Sequence, residues 1–583
     1  MIRPTEWRMR TIRADFNGIG AKLGISPVMA RVLVNRELDT DEKREEYLYG
    51  NLNSIPDPSR LLGMDGAVAL LQSKIREGKQ IRIISDYDVD GVTSNYILYD
   101  GLIRLGARGS YDIPDRIRDG YGMNVRLVEA AAADGVDTLL TCDNGIAAFD
   151  AIDRAKELGM TVIVTDHHQM QGRLPAADVI VNPWQPLCPY PYKTICGAEV
   201  AYKLMRALSE AEGNPLGNTD YLEFVALGTV CDVMPLSGEN RILVREGMRV
   251  MPDTENAGLR ALLSVNGLLD GRKITAYHLG FILGPSINSE GRLSSAKEAM
   301  RLLLTEDAAE AEQLAGEMKQ LNDQRKSATE EGVRTAVEVI QRDGLYEKDH
   351  VLVVYVPGLH ESLAGIVAGK VRERYFRPTI IFTDAEGNSA MLKGSARSIE
   401  AYNIFEALTG AEDLMDHFGG HPMAAGVTIP RENLEALRRT LNEAEHLTEE
   451  ELVEKIYIDI PMPLSYVSLS LAEQLEQLEP FGTGNPKPVF AEKDLQIEEV
   501  RSYSNGKLLR LTLRDSRGNR VYAKTFSGEL LSKDIKMWSE CDECDRIRKY
   551  PKLDLIYHVS VNEYRGEKNV ECWIDYYRQS AEA

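Results

Sequence analysis

Residues 81–91, IRIISDYDVDG, decide the fold, because a run of β-forming residues leads into three aspartates and helical periodicity follows near 92–105. The same alternation recurs in TLLTC (138–142), a helix near 147–158 and TVIVT (161–165). Apolar runs that alternate with helical segments are typical of βαβ units. The sequence therefore predicts an α/β domain built on a parallel sheet.

Acidic and histidine side chains follow each of these apolar runs. They are Asp86, Asp88, Asp143, Asp166, His167 and His168, and Asp232 belongs to an apolar segment of its own. Because open parallel sheets place their ligand crevice at the carboxyl ends of the strands, we expect these side chains to converge. Carboxylates with imidazole, and without thiolates, suit Mn²⁺ or Mg²⁺.

The clustering of carboxylates also indicates metal. Neighbouring carboxylates raise one another's pKa, and divalent cations remove that cost. Two metals about 3.5–4 Å apart can activate a water and stabilise a phosphoryl displacement, so the cluster predicts hydrolysis of a phosphate ester. Taken singly, such aspartates are also ordinary turn or N-cap residues. A nucleotide-binding crevice is disfavoured, because neither G-x-x-x-x-G-K-[ST] nor G-x-G-x-x-G follows a strand.

The rest of the chain divides into further units. Residues 306–342 contain no proline and predict one long helix that links two bodies. A second mixed α/β unit begins with VLVVYV (351–356) and ends in the Gly-rich stretch at 418–429. After an acidic helix near 432–455, short alternating strands such as LLRLTLRD (508–515) predict a small β-barrel or sandwich.

Length and composition exclude several classes of protein. The 583 residues correspond to about four domains, and 43% hydrophobic with 27% charged residues is typical of a chain that folds throughout. A formal net charge of −22 excludes passive coating of nucleic acid, so a polyanion needs a local basic surface or bound cations. Seven sparse cysteines favour a reducing compartment, and no apolar segment predicts export or a membrane span.

The motifs DYDVDG, CDNG, TDHH and the Asp232 segment resemble those of the DHH phosphoesterase superfamily. Within it, the chain is similar over about residues 50 to 577 to the RecJ family of bacterial single-stranded-DNA-specific 5′→3′ exonucleases. The stretches that carry this likeness are IPDRIRDGYGMN (113–124), GPSINSEGRL (284–293), LHESLAGIVAGKV (359–371), GSARS (394–398), FGGHPMAAG (418–426) and LEPFGTGNPKPVF (478–490).

The resemblance implies a parallel-sheet DHH domain, a long connecting helix, a mixed α/β DHHA1 domain and a C-terminal OB-fold barrel. The expected boundaries are an N-terminal helical segment at 1–50, the DHH domain at 51–250, the helical connector at 251–345, the DHHA1 domain at 346–450 and the OB-fold at 451–583. This organisation is an α/β fold with one all-β domain at its end.

By the same resemblance, two metals occupy the site. One is held by Asp88, Asp143, His167 and Asp232, and the other by Asp86 and Asp143 together with substrate or water. His168 would lie beside the scissile phosphate to orient or protonate it, while Asp90 and Asp166 support the loop and the histidines. Ile84 stands where many relatives have histidine, which leaves the Asp86 metal with fewer protein ligands.

Candidate nucleic-acid contacts also follow from the family motifs. The residues in motifs that line the DNA channel are Arg116, Tyr121, Asn288, Arg292, Ser395 and Arg397, and His360 and His421 resemble the DHHA1 phosphate-binding positions. Asn288 and Arg292 are spaced i, i+4 and would share a helix face.

Residues 501–525 reverse the acidic charge of the whole chain. The basic residues there are Arg501, Lys507, Arg510, Arg514, Arg517, Arg520 and Lys524, with Asp515 as the acidic residue and Tyr503 and Tyr522 between them. Such a surface suits backbone tracking and base stacking on single strands. Charged edge strands that prevent aggregation are the alternative. Cys541 and Cys544 lack a second pair at zinc spacing and are interpreted as surface thiols.

The sequence thus predicts a metal-dependent 5′→3′ exonuclease that threads single-stranded DNA between two lobes and releases 5′-mononucleotides. The family implies roles in DNA repair and recombination, a helicase and a single-strand-binding protein as partners, a monomer, and a cytoplasmic location. Two alternatives stay open: a DHH-type phosphodiesterase of short RNA or cyclic dinucleotides, and an inactive DHH scaffold that binds DNA.

Overall fold

A short N-terminal segment precedes the first sheet. The computed structural model describes residues 5–115, 120, 122–170, 172–271, 273–293, 296–541, 547–564 and 566–581. The first elements are β1 (Thr5–Met9), α1 (Phe16–Leu23), α2 (Pro27–Asn35) and α3 (Asp41–Tyr49). Each helix is preceded by an N-cap residue whose side chain accepts a backbone N–H of the first turn. These N-caps are Asp15, Ser26 and Thr40 respectively.

The first domain is the predicted parallel sheet. Its elements are α4 (Met64–Arg76), β2 (Gln80–Ser85), α5 (Val89–Arg104), β3 (Arg108–Asp112), α6 (Val125–Ala133), β4 (Thr138–Cys142), α7 (Phe149–Glu157), β5 (Thr161–Thr165), β6 (Val179–Val181), α8 (Gly197–Ala211), α9 (Leu222–Cys231) and α10 (Gly238–Val250). All five strands are parallel in the order β3-β2-β4-β5-β6. The chain leaves β2 towards one edge and returns on the other side at β4, so a topological switch point lies between β2 and β4.

Helices connect this domain to the second lobe. They are α11 (Ala257–Val265), α12 (Ala276–His278), α13 (Gly284–Leu293), α14 (Ala296–Leu304), α15 (Ala308–Asp343) and α16 (Leu345–Lys348), with a π-helical turn at Leu279–Leu283. The predicted long helix is confirmed as the 36 residues of α15, about 54 Å at 1.5 Å per residue. Its Leu314 and Met318 pack into the core of the first domain, and its Ala336 and Ile340 pack under the second lobe.

The second lobe is the predicted mixed α/β unit. It contains β7 (Leu352–Tyr355), α17 (Ala364–Tyr375), β8 (Thr379–Ala385), β9 (Asn388–Arg397), α18 (Ile404–Thr409), β10 (His417–His421), β11 (Ala424–Pro430) and α19 (Leu434–Ala444). The strand order is β10-β11-β9-β8-β7, with only β7 and β8 parallel among these pairs.

The helix predicted near 432–455 was too long. The helix ends at Ala444, because the carboxylate of the next residue, Glu445, accepts the backbone N–H of Leu447 two residues further along the chain. Thr448 then donates its N–H and hydroxyl to the Glu451 carboxylate, at 2.9 and 2.8 Å. Such local side-chain bonds compete with helical hydrogen bonds, and the sequence pattern did not reveal them.

The C-terminal domain is a closed β-barrel. Its elements are β12 (Glu454–Ile458), β13 (Ile460–Pro461), α20 (Leu469–Glu476), β14 (Phe490–Tyr503), β15 (Leu508–Arg514), β16 (Arg520–Thr525), α21 (Gly528–Trp538), β17 (Glu540–Cys541), β18 (Ile547–Lys549), β19 (Lys552–Tyr564) and β20 (Glu567–Gln579). The order β14-β15-β16-β20-β19 closes through pairing of β14 with β19, which confirms the predicted OB-fold.

The N-terminal segment belongs to this barrel in space. Strand β1 pairs in parallel with β12, and Met29 and Leu33 of α2 share the core of Phe490 in β14. No helix in the part of the chain that the structure describes is long and apolar enough to cross a membrane.

Candidate metal centre

The carboxyl edge of the first sheet gathers the predicted acidic residues. At that edge lie Asp86 and Asp88 after β2, Asp143 after β4, His167 and His168 after β5, and Asp232 directly after α9. Asp88 is also the N-cap of α5, where its side chain accepts the Gly91 N–H at 3.0 Å. The strand order therefore explains the convergence, because the switch point lies between the strands that carry Asp86 and Asp143.

The His167 ring lies at the centre of the cluster. Its Nε2 is 3.0 Å from Asp143 Oδ1 and 3.5 Å from Asp232 Oδ2. The same atom is 3.6 Å from Asp90 Oδ2. Burial lowers the pKa of His167 despite these carboxylates, so the neutral ring has a nitrogen lone pair available for a metal.

Ligand atoms in the cluster form three overlapping groups. Within each group the atoms lie within 4.8 Å of one another, and the groups are Asp86–Asp88–Asp143, Asp90–His167–Asp232 and Asp143–His167–His168. Asp143 belongs to two of the three groups. It is therefore the carboxylate in a position to serve more than one ion.

The backbone at Asp143 is held in the left-handed region, with φ +58°. Gly197, the first residue of α8, makes this turn possible, because a Cβ added there would lie 2.7 Å from Asp143 Cβ and 3.0 Å from Asp90 Oδ2. The helix start can thus approach the cluster closely. The N–H groups of Gly197 and Ala198 donate to the two oxygens of Asp90 at 2.6 and 2.8 Å.

The carboxylates of the cluster resist ionisation together. Burial, followed by the charge of Asp88, raises the pKa of Asp86 to about 7. Burial and the neighbouring aspartates raise the pKa of Asp232 to about 8, and they also raise the pKa of Asp143 well above its usual value. A cation bound among them would favour the ionised forms.

His168 differs from His167 in charge and exposure. Its Nδ1 lies 2.8 Å from Asp166 Oδ1, and its side chain is 43% exposed. Burial lowers the pKa of His168, but the hydrogen bond and charge of Asp166 outweigh that effect and raise it to about 9. Asp166 is fixed in turn by the backbone N–H groups of Ile146 and His167, at 2.9 and 2.7 Å.

Ile84 supplies no ligand to the cluster. It is fully buried in β2, and its side chain packs in an apolar cluster with Leu127 and Val164. Its carbonyl accepts a hydrogen bond from Asn144 Nδ2 at 3.0 Å, which holds the turn after Asp143. The Asp86 side of the site therefore consists of carboxylates.

The residues present fit divalent cations. Oδ2 of Asp232 is buried and accepts no hydrogen bond from any of the described residues, so an acceptor points into the cluster unused. Aspartate oxygens with one or two imidazoles are the donor set of Mn²⁺ and Mg²⁺ sites. An uncompensated buried carboxylate is costly, and a cation would remove that cost.

Apart from the metal centre, a cavity lies in the second lobe. It has a volume of about 410 Å³ and brings together the predicted His360 and Ser395 with Lys393 and His417. His421 is exposed at the end of β10 and does not line it. Sequence analysis missed His417, although it lies four residues before His421 and therefore on the same face of the strand.

The other predicted nucleic-acid contacts of the two lobes lie only in part within the described residues. Arg397 is half-buried at the end of β9, where burial lowers its pKa. Its Nη2 and the Ser395 Oγ both lie 2.9 Å from the point where a Gly365 Cβ would stand, so the two side chains meet over the start of α17. Asn288 lies in α13, as its predicted spacing from Arg292 requires. The Arg292 side chain, Arg116 and Tyr121 lie outside the described residues.

Four of the seven basic residues in the barrel run form ion pairs with glutamates. The ion pairs are Arg501–Glu499 (2.8 Å), Arg514–Glu498 (2.5 Å), Arg520–Glu498 (3.2 Å) and Lys524–Glu571 (2.5 Å). Arg510 differs, because its guanidinium lies 4.5 Å from the centre of the Tyr522 ring. The predicted pair of surface thiols cannot be placed, since Cys544 and the Cys541 side chain lie outside the described residues.

The parallel sheet, the acidic edge and the second mixed sheet define a phosphoesterase of the DHH class. The model of the DHH family N-terminal domain matches residues 80–229, that of the DHHA1 domain matches 348–446, and that of the RecJ OB domain matches 458–576. The chain belongs to the RecJ family.

Relatives over nearly the whole chain support that assignment. The single-stranded-DNA-specific exonuclease RecJ of Bacillus subtilis is 34% identical over 95% of this chain and 68% of its own length. The protein of the same name from Escherichia coli is 32% identical over 94% of this chain and 96% of its own. The crystal structure of RecJ with Mn²⁺ from Thermus thermophilus matches with a TM-score of 0.80 at 30% identity, covering 99% of this chain and 80% of the other.

Proposed function

We propose that this protein is a metal-dependent 5′→3′ exonuclease that hydrolyses single-stranded DNA to 5′-mononucleotides. The observation that carries the proposal is the acidic edge of the first sheet, in a chain whose RecJ-family relatives are named for this activity. The barrel supports it, because OB-folds are a common scaffold for binding single strands. The cavity in the second lobe adds imidazole, hydroxyl and ammonium groups suited to phosphate.

Two divalent cations would share the cluster. Asp88, Asp143, His167 and Asp232 would hold one, and Asp86 and Asp143 would hold the other with substrate or water. When bound, such ions lower the pKa of water and stabilise the charge of a phosphoryl displacement. Because Ile84 replaces a potential ligand, we infer that the Asp86 ion binds more weakly than the other.

The chain's own residues then have separate tasks. Asp90, fixed by two backbone N–H groups, keeps the start of α8 against the cluster. Asp166 holds the His168 ring through its Nδ1 atom. Held by that contact, His168 would orient a phosphate oxygen or donate a proton to it.

The wider role is part of the proposal. We place the enzyme in DNA repair and recombination with Mn²⁺ as a working cation, acting as a cytoplasmic monomer beside a helicase and a single-strand-binding protein. The five cysteines that the structure describes are free thiols, as a reducing compartment maintains them. A phosphodiesterase of short RNA or cyclic dinucleotides and an inactive scaffold are not favoured, because the family match extends through the OB domain.

The test is degradation of a single-stranded DNA oligonucleotide labelled at either end, with Mn²⁺, beside Asp143→Ala. We expect mononucleotides to appear first from the 5′ end and to be absent with the variant. A length series of RNA and DNA substrates separates the short-substrate alternative. Intact strands with both proteins would overturn the proposal.

A further inference from the structure

An aromatic groove adjoins the acidic edge. It has a volume of about 690 Å³, and its walls include Val233, Tyr277, Phe281, Pro480 and Phe481. We call this the aromatic groove. It lies beside the metal centre, because Val233 is the residue directly after Asp232 and has φ +59°.

Two aromatic rings of the groove are exposed and already stacked. Tyr277 is 62% and Phe281 66% exposed, and their ring centres are 5.1 Å apart at an interplanar angle of 19°. They flank the start of the π-helical turn at Leu279–Leu283, an irregularity often found at functional sites. Large apolar rings exposed side by side mark a surface that binds something.

The part of the wall that contains Pro480 and Phe481 is anchored by hydrogen bonds. Arg241, itself buried, donates to the carbonyl of Leu478 at 2.8 Å, and Asn485 donates to the carbonyl of Pro480 at 2.6 Å. The Leu236 N–H donates to the Thr483 carbonyl at 2.7 Å, which ties this wall to the chain just after Asp232. The groove is therefore built from fixed elements of two domains.

The ligand chemistry follows from the rings and from the charge beside them. Flat stacked rings recognise a flat partner, and every nucleobase offers a π-face. The ammonium of Lys487 lies 5.9 Å from the centre of the Phe481 ring, so a cation is available for an adjacent phosphate. Asn288, from the family motif in α13, lines the same groove.

We propose that the aromatic groove binds one nucleobase of the substrate strand, stacked on Tyr277 and Phe281, and so fixes the strand beside the metal centre. This inference rests on the proposed function. Because stacking tolerates every base, the groove would hold strands of any sequence.

The test compares Tyr277→Ala/Phe281→Ala with the parent protein on a 5′-phosphorylated DNA strand that carries one abasic residue, moved one position at a time. We expect KM for the intact strand to rise about 5- to 150-fold, the worth of one stacked base. With the parent protein, KM should rise by the same factor when the abasic residue occupies the strand position whose base stacks in the groove. With the double variant, an abasic residue at that position should cause no further rise in KM.

Tyr466→Ala is the matched control, since Tyr466 is 61% exposed outside the groove, and it should leave KM unchanged. Phe281→Leu retains apolar area without a flat ring, and it gives the same positional test if the double variant unfolds. The inference is overturned if KM rises equally for every abasic position, or if KM does not rise in the double variant. Unchanged DNA binding would instead indicate that the groove binds a protein partner. If the parent degrades no strand, the proposed function fails instead.

Discussion

The acidic edge of the first sheet and the basic run of the barrel were both predicted from charge, yet the structure treats them in opposite ways. At the acidic edge, carboxylates are buried against one another and their pKa values are raised. In the barrel, four of the seven basic side chains of this run are paired with glutamates, and three of those four are exposed. Charge left uncompensated inside a protein requires a ligand, whereas charge compensated at the surface requires none.

The largest effect should come from Asp143. Asp143→Asn removes one charge and keeps a residue that tolerates φ +58°, so we expect the metal-free protein to melt a few degrees higher. Activity with Mn²⁺ should fall more than about 100-fold, beyond the loss typical of residues that only support a ligand. Calorimetry in EDTA and a nuclease assay measure the two effects. A variant that is active, or less stable without metal, would contradict the account of the acidic edge.

The fold and most of the acidic edge could be predicted because they depend on local patterns. A strand followed by Asp or His fixes both the element and its end, so the positions of Asp86, Asp143 and His167 followed from the parallel sheet. The contact of Asp90 with His167 does not follow from that pattern alone, since Asp90 is held by the backbone N–H groups of Gly197 and Ala198 on a helix distant in sequence. The pairing of Arg514 with Glu498 also depends on strand register, which composition does not contain.

Gly197→Ala should be the next largest perturbation. The added methyl meets Asp143 Cβ at 2.7 Å, so the acidic edge must shift, and we expect Mn²⁺ affinity to fall about 10- to 100-fold. Gly316→Ala is the control, because nothing lies within 4 Å of the new methyl in α15. That change should stabilise the protein by about 1 kcal/mol and leave metal binding intact. Titration calorimetry measures the Mn²⁺ affinity of both variants. Equal affinities would contradict the close packing of Gly197 against Asp143.

A second buried charge cluster gives an intermediate effect on stability. Burial, followed by the charge of Glu239, raises the pKa of Glu199 to about 8, while Lys203 Nζ lies 3.2 Å from its carboxyl. The folded state holds this proton more tightly than the unfolded state, so its contribution is complete below pH about 4.5 and is lost as pH rises towards 8. Glu199→Gln should therefore flatten the fall in melting temperature between pH 5 and 8.

The control for this prediction is Glu331→Gln, which removes an exposed carboxylate 3.2 Å from Arg334. It should leave the pH profile of the melting temperature unchanged. Equal slopes for Glu199→Gln and the parent protein would mean that Glu199 ionises normally inside the domain.

The smallest effects should separate two arginines of the barrel. Arg514 is paired with Glu498, so Arg514→Ala should alter folding stability by less than about 1 kcal/mol and barely change affinity for a single strand. Arg510 is not among the basic residues paired above, and it lies over Tyr522 on the same sheet. If it meets a phosphate, Arg510→Ala should reduce the slope of log affinity against log salt by about 0.7, the value for one contact on a single strand. Equal slopes in both variants would mean that the barrel contributes its aromatic rings rather than its charge, and that the acidic chain relies on bound cations to hold a polyanion.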